Sequence, residues 1–218
     1  MAGGLLASGA LTALFAMALA PPSTSQDVPT PPQPPEKIRV EVATVNGSGC
    51  RNGTVAVAAA PDNSAFTVTY SDYLASAGDQ SDPVDFRKNC QLSLVVHAPV
   101  DYTYAIASAD YRGYAWLHPG VTGMEKASYY FQGSSETTSE SHRWRGPYGD
   151  NWQATDSKPW EELDWAPCGA QRNLNVNTEL RVLLGASDSD KTSFMTMDST
   201  DAKVSSVYTL AWKRCPSS

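Results

Sequence analysis

The sequence predicts an all-β fold, a two-sheet antiparallel sandwich held by two intrachain disulfides, with jelly-roll-like topology preferred to immunoglobulin-like. Three observations carry that expectation. Apolar side chains recur at every second position in segment after segment, the periodicity of half-buried strands. Turn-forming pairs separate those segments: Asn46-Gly47, Asn52-Gly53, Pro61-Asp62-Asn63, Pro119-Gly120, Gly146-Pro147 and Gly149-Asp150. The four cysteines, Cys50, Cys90, Cys168 and Cys215, are widely spaced and include no Cys-x-x-Cys pair, a usage that fits disulfides better than metal or redox chemistry.

In chain order, Ile38, Val40 and Val42 alternate with Arg39, Glu41 and Ala43. Phe66, Val68 and Tyr70 alternate with threonines, and Leu92, Leu94 and Val96 with Ser93, Val95 and His97. Tyr102, Tyr104 and Ile106 open a longer strand expected to reach Tyr111. Ala127, Tyr129 and Phe131 share one face of the next. The most regular run is Leu174, Val176, Thr178, Leu180, Val182 and Leu184, and the last strand aligns Tyr208, Leu210 and Trp212. The one helical stretch expected is short, Tyr73 to Ala77, with a further turn near Pro159 to Leu163. Packed face to face, such strands form a sandwich.

The chain divides into a signal peptide (1–20), a proline-rich disordered linker (21–36) and one domain (37–215). Leu5 to Ala20 is apolar and uncharged, and Ala18-Leu19-Ala20 supplies a small-x-small cleavage pattern. At about sixteen residues it falls short of the roughly twenty that span a bilayer. The linker holds seven prolines and little else apolar, a composition that stays extended. Secretion is therefore expected. Four cysteines allow three pairings; Cys50–Cys90 with Cys168–Cys215 is preferred because each half of the chain then closes separately. Asn46-Gly47-Ser48 and Asn52-Gly53-Thr54 are glycosylation sequons, which makes Asn46 and Asn52 acceptor candidates.

Of 218 residues, 18% are charged and the formal net charge is −7. That balance disfavours nucleic acid and anionic membranes as partners. A monomer with no cofactor is expected, and polysaccharide or cell-wall material is the expected partner.

Catalytic patterns are sparse. There is no Gly-x-Ser-x-Gly elbow, and His97, His118 and His142 each stand alone, His142 in an expected loop. Glu161, Glu162 and Asp164 lie on one segment, badly placed to flank a glycosidic bond. Asp188, Asp190, Asp198 and Asp201 could offer calcium oxygen ligands, although they match no EF-hand loop and read equally as solvated turns. The aromatic signal is stronger. Trp144, Tyr148, Trp152, Trp160 and Trp165 crowd one turn-rich stretch, either as a stacking platform for sugar rings or as plugs for the ends of the core. Asn173, Asn175 and Asn177, with Glu179 and Arg181, share one strand face, a ladder for hydroxyl groups or an ordinary solvated surface. Three readings follow: an extracellular glycan- or wall-binding module first, a polysaccharide hydrolase or lyase second, an effector or structural protein third. The first, non-catalytic reading leads.

The chain also resembles a known family through Val45-Asn-Gly-Ser-Gly-Cys50, Pro61-Asp-Asn-Ser-Ala-Phe-Thr-Val-Thr-Tyr70 and Asp85-Phe-Arg-Lys-Asn-Cys-Gln-Leu92. Tyr104-Ala-Ile-Ala-Ser-Ala-Asp-Tyr-Arg-Gly113, Ala127-Ser-Tyr-Tyr-Phe-Gln-Gly133, Gly146-Pro-Tyr-Gly-Asp-Asn-Trp152, Cys168-Gly-Ala-Gln-Arg-Asn-Leu-Asn-Val-Asn177 and Ala211-Trp-Lys-Arg-Cys215 extend it. These patterns are similar to secreted domains of fungi and bacteria catalogued as domain of unknown function four-three-six-zero. The resemblance implies secretion, a β fold and paired use of all four cysteines. It supplies no catalytic residues, and Ser134 to His142 and Thr155 to Asp164 lie outside its motifs.

Overall fold

A computed structural model describes residues 33–197 and 206–216. The signal peptide, most of the linker, Asp198 and Asp201 lie outside the described residues. The described strands are β1 (Arg39–Asn46), β2 (Val55–Ala59), β3 (Ala65–Tyr70), β4 (Leu74–Ala77), β5 (Arg87–His97), β6 (Tyr102–Leu117), β7 (Thr122–Phe131), β8 (Thr138–Arg145), β9 (Tyr148–Ser157), β10 (Leu174–Leu183), β11 (Ser193–Thr196) and β12 (Ser206–Arg214). One short 3-10 turn, Trp160–Glu162, follows β9.

Two antiparallel sheets result. The first has the order β1-β5-β10-β7-β8. In the second, β6 is the spine: β9 pairs with one edge, and β12 and β11 follow one another along the other. Beyond them lie β3 on β12 and β4 on β11, with β2 outermost on β3. The chain crosses between sheets repeatedly, so sequence neighbours face each other across the core in jelly-roll fashion.

Strand alternation builds that core. Leu174, Val176, Thr178, Leu180 and Val182 of β10 point inward, against Leu92, Leu94 and Val96 of β5 on the same sheet. Tyr70, Tyr111, Tyr208 and Trp212 fill the space from the opposite sheet. A bulge resets the phase of β6. Its pairing with β12 shifts between Thr209 and Leu210, so Tyr104 and Ile106 before it and Ala109 and Tyr111 after it all face the core.

Asn63 fastens the start of the domain. In the left-handed region (φ 61°), it donates through its amide to the carbonyls of Pro34 and Glu36, and its Oδ1 accepts from Ile38 N at 2.9 Å. Trp212 Nε1 donates to its backbone carbonyl at 2.8 Å.

Both disulfides form as preferred, Cys50–Cys90 and Cys168–Cys215, with Cα separations of 5.3 and 5.8 Å. Three local expectations are corrected. Leu74–Ala77 is strand rather than helix, because Tyr73, just before it, and Ala75 and Ala77 are buried with a period of two. The long strand continues past Tyr111 to Leu117. Most of the stretch read as turns around His142 and Trp152 is strand, β8 in one sheet and β9 in the other, and His142 lies on β8.

The Cys50–Cys90 bridge closes a separation of 40 residues, which in the chain-entropy model stabilises by about 4 kcal/mol. The double variant Cys50→Ala/Cys90→Ala is therefore expected to lose up to about 4 kcal/mol of unfolding free energy in urea titration under oxidising conditions.

Candidate functional site

Three regions hold the polar and aromatic side chains that packing alone does not explain. The first is the outer side of β6, β9, β11 and β4. Two tryptophan–glycine pairs cross the β6–β9 ladder, one on each face: Gly113 opposite Trp152 inside, and Trp116 opposite Gly149 outside. A Cβ on Gly149 would come within 2.8 Å of the Trp116 six-membered ring. Only glycine there leaves room for the indole against the neighbouring strand, and Trp116 is 45% exposed. Tyr114 lies two residues along the same face, with Phe194 beside it at a ring separation of 6.0 Å and paired with Trp116 across the ladder. Next to the indole, His118, Pro119, Pro147 and Tyr148 border a depression of about 240 Å³, and the Tyr148 hydroxyl donates to the Asn151 carbonyl at 2.8 Å.

The second region is the outer face of the five-stranded sheet. Asn175 and Asn177 line a depression of about 200 Å³ with Gln91, Ser93 and Tyr130. It continues, through Gln91 and Asn177, into one of about 140 Å³ bordered by Arg87, Lys126 and Glu179. Asn173 donates to Ser93 Oγ at 3.0 Å. Glu179 is bonded by both Arg87 and Arg181. Burial pushes its carboxyl up, but the Arg181 and Arg87 bonds outweigh that and hold it below the ordinary range.

The third region is internal. Glu125 is fully buried, and neither carboxyl oxygen has a hydrogen-bond partner. It stands opposite His142 on β8, whose Nε2 meets Asp156 Oδ1 at 2.6 Å across the β8–β9 seam. The hydroxyls of Tyr70, Tyr111, Tyr129 and Tyr208 are also buried without a partner, and Glu125 is within electrostatic reach of Tyr70, Tyr111 and Tyr208. Burial first, and the Asp156 charge second, push the Glu125 carboxyl well above 4.5. Burial likewise raises Asp156, against the His142 bond that lowers it.

The structure scatters the tryptophans that sequence proximity brings together. Trp152 is core, 2% exposed, and donates from Nε1 to Thr196 O. Trp144 is half-buried against Trp152, with ring centroids 4.9 Å apart. Trp165 caps Ala105, Ala107 and Ala211 beside Leu163, under the Lys213 ammonium. Trp160 packs edge-on against Trp165 and stays 44% exposed. Tyr148 borders the depression beside Trp116 but stands opposite Leu117 on the inward face of β9, packed against the core. Asn173, Asn175 and Asn177 do share one face. Trp116 and Glu125 were not singled out from sequence, although Tyr114 and Trp116 have the spacing of one strand face.

Of the remaining candidates, Asp188 accepts from the Asp190 N–H in an exposed turn. No cluster of three or more His, Cys, Asp or Glu able to hold a metal occurs among the described residues. Asn46 and Asn52 are exposed, at the end of β1 and in the following turn.

The buried carboxyl makes stability depend on pH with a definite sign. Below about 4.5 Glu125 is protonated folded and unfolded alike; above it the unfolded chain releases the proton while the folded chain keeps it. This group's share of stability therefore falls as pH rises, by about 1.4 kcal/mol per unit until the folded group ionises. Glu125→Gln is expected to flatten urea-derived stability as pH rises above about 5 and to gain over the parent in that direction.

Comparison with known proteins finds a matching family and a secreted relative. The family model described as Domain of unknown function (DUF4360) matches residues 36–215. An "Uncharacterized secreted protein" of Arthroderma benhamiae is 35% identical over 181 residues, covering 83% of this chain and 73% of that protein. Among solved structures, the enzymatically active domain of bacteriophage CBA120 tailspike protein 4 is similar at 10% identity and a TM-score of 0.24. That match covers 79% of this chain but 19% of the tailspike chain, a similarity too low to carry an argument. No described helix is long and apolar enough to cross a membrane. The protein is secreted, and with nearly its whole domain matched it belongs to the family described as Domain of unknown function (DUF4360).

Proposed function

We propose that this protein is a non-catalytic extracellular module that binds polysaccharide of a cell wall or of the surroundings. The observation that carries the reading is Trp116, packed over Gly149 on the outer face of the sheet and 45% exposed. A sugar ring presents a flat face of C–H groups, and an exposed indole is the side chain best suited to cover it. Tyr114 and Phe194 extend the surface around it. The sheet beneath holds these rings in place, so little conformational freedom is lost on binding.

A polysaccharide-active enzyme is the second reading. It needs two carboxylates facing each other across an open cleft. Glu161 and Glu162 are exposed neighbours in the 3-10 turn, Asp164 is bonded by Thr138 and Lys158, and Glu125 and Asp156 are buried. The binding reading is favoured by that distribution.

Retention on insoluble cellulose, chitin and β-glucan tests the proposal, with sugar release from the same materials separating the two readings. Binding to at least one of them is expected, weakened about tenfold by Trp116→Ala. Gly149→Val should reproduce much of that loss by pushing the indole off the strand. Retention on none, or full retention by Trp116→Ala, would overturn the proposal.

A further inference from the structure

The protein's net charge of −7 is not spread evenly. On the outer face of the five-stranded sheet, side chains point outward at every second residue, and the ladders align them in rows. Arg87, Arg181, Met124 and Arg143 form one row across β5, β10, β7 and β8. The next row along the strands is Asn89, Glu179, Lys126 and Ser141. Arg145 stands beyond Arg143 on the same side of β8. Arg87, Arg181, Lys126, Arg143 and Arg145 therefore share this end of the sheet with one carboxylate of those rows, Glu179. That carboxylate is already engaged by two guanidinium groups. Lys126, Arg143 and Arg145 are exposed, and none has a carboxylate partner among the described residues.

The rows immediately beyond carry no charge. They are Asn46, Gln91, Asn177, Ser128 and Ser139, then Thr44, Ser93, Asn175 and Tyr130. Strands lie about 4.8 Å apart, so Arg181 and Arg143, two strands apart, present cations roughly 10 Å from each other. The amide rows and the cationic end are continuous, because the two depressions on this face share Gln91 and Asn177.

We propose that this face is a second binding site, distinct from the Trp116 surface on the opposite sheet, and that its ligand is an acidic polysaccharide. The ligand's anionic groups would meet Lys126, Arg143, Arg145 and the Arg87–Arg181 pair, and its hydroxyls would bond Gln91, Asn175 and Asn177. Charge complementarity selects the ligand: a cationic end on an acidic molecule concentrates field where an anion can approach. The adjoining amides and serines donate and accept in the way hydroxyl-rich rings require. Nucleic acid fits less well. This face offers one half-buried aromatic ring, Tyr130, where bases would need stacking partners, and the rest of the molecule repels a long polyphosphate.

The full-length secreted protein should be titrated with polygalacturonate, dextran sulfate, neutral dextran and a single-stranded oligonucleotide, each at about 50 and 200 mM salt. Binding to at least one anionic polysaccharide and not to neutral dextran is expected, weakening about tenfold or more over that salt range. The carboxylate and sulfate probes separate a uronate ligand from a sulfated one. Arg143→Glu/Arg145→Glu should weaken binding about tenfold, and Lys126→Gln should weaken it in the same direction. The matched pair Lys37→Glu/Lys191→Glu, which makes the same charge change elsewhere on the surface, should not. Equal response to both double variants, salt-independent binding, or tighter binding of the oligonucleotide than of either anionic polysaccharide would overturn the proposal. Retention on insoluble neutral glycan is read separately, so the Trp116 surface stands or falls on its own result.

Discussion

The register of β10 between β5 and β7 is the constraint from which both sides of the five-stranded sheet follow. Leu174 pairs with Leu94 on one side and Phe131 on the other, and Asn177 with Gln91 and Ser128. A slip of one residue would turn Leu174, Val176 and Leu180 to solvent and drive three asparagines into the core. Losing even one of those leucines to a cavity costs about 3 kcal/mol, and an unpaired buried amide adds a further penalty of about 1–3 kcal/mol. The polar outer face is thus a by-product of that pairing.

Against that apolar order stands the seam between β8 and β9. Glu125, Asp156, His142 and a group of tyrosine hydroxyls occupy an interior that aliphatic side chains could have filled. Burying a carboxyl costs least when it stays neutral, which is the state its surroundings enforce on Glu125. The His142–Asp156 contact joins edge strand β8 of one sheet to edge strand β9 of the other. Here the structure trades apolar packing for polar contacts whose strength depends on protonation.

Most of the architecture was legible in the sequence because strand alternation survives wherever one face is buried and the other wet. β1, β3, β5, β10 and β12 all show it, and the cysteine pairing followed from closing each half of the chain. β8 and β9 were illegible for a physical reason. Both are edge strands, rich in charged residues and joined by Gly146-Pro147, so their composition imitates a loop. That error also grouped the tryptophans wrongly. Residues close in sequence across a connection that changes sheets are sent to different layers, Trp144 to the seam, Trp152 to the core and Trp165 to an outer alanine patch. Trp116 escaped notice because its exposure depends on a glycine 33 positions further along, a pairing no local pattern announces. The buried Glu125 sits between Met124 and Lys126, where nothing marks its direction.

Two sheets packed back to back have outer surfaces that face opposite ways, separated by a core about 10 Å thick. No side chain can belong to both, so either surface can change in evolution without disturbing the other. The disulfides and the continuous ladders leave the assembly little freedom to flex. Whatever rests on one side is held at a set distance and angle from whatever rests on the other, which is the geometry of a rigid spacer between two polymers.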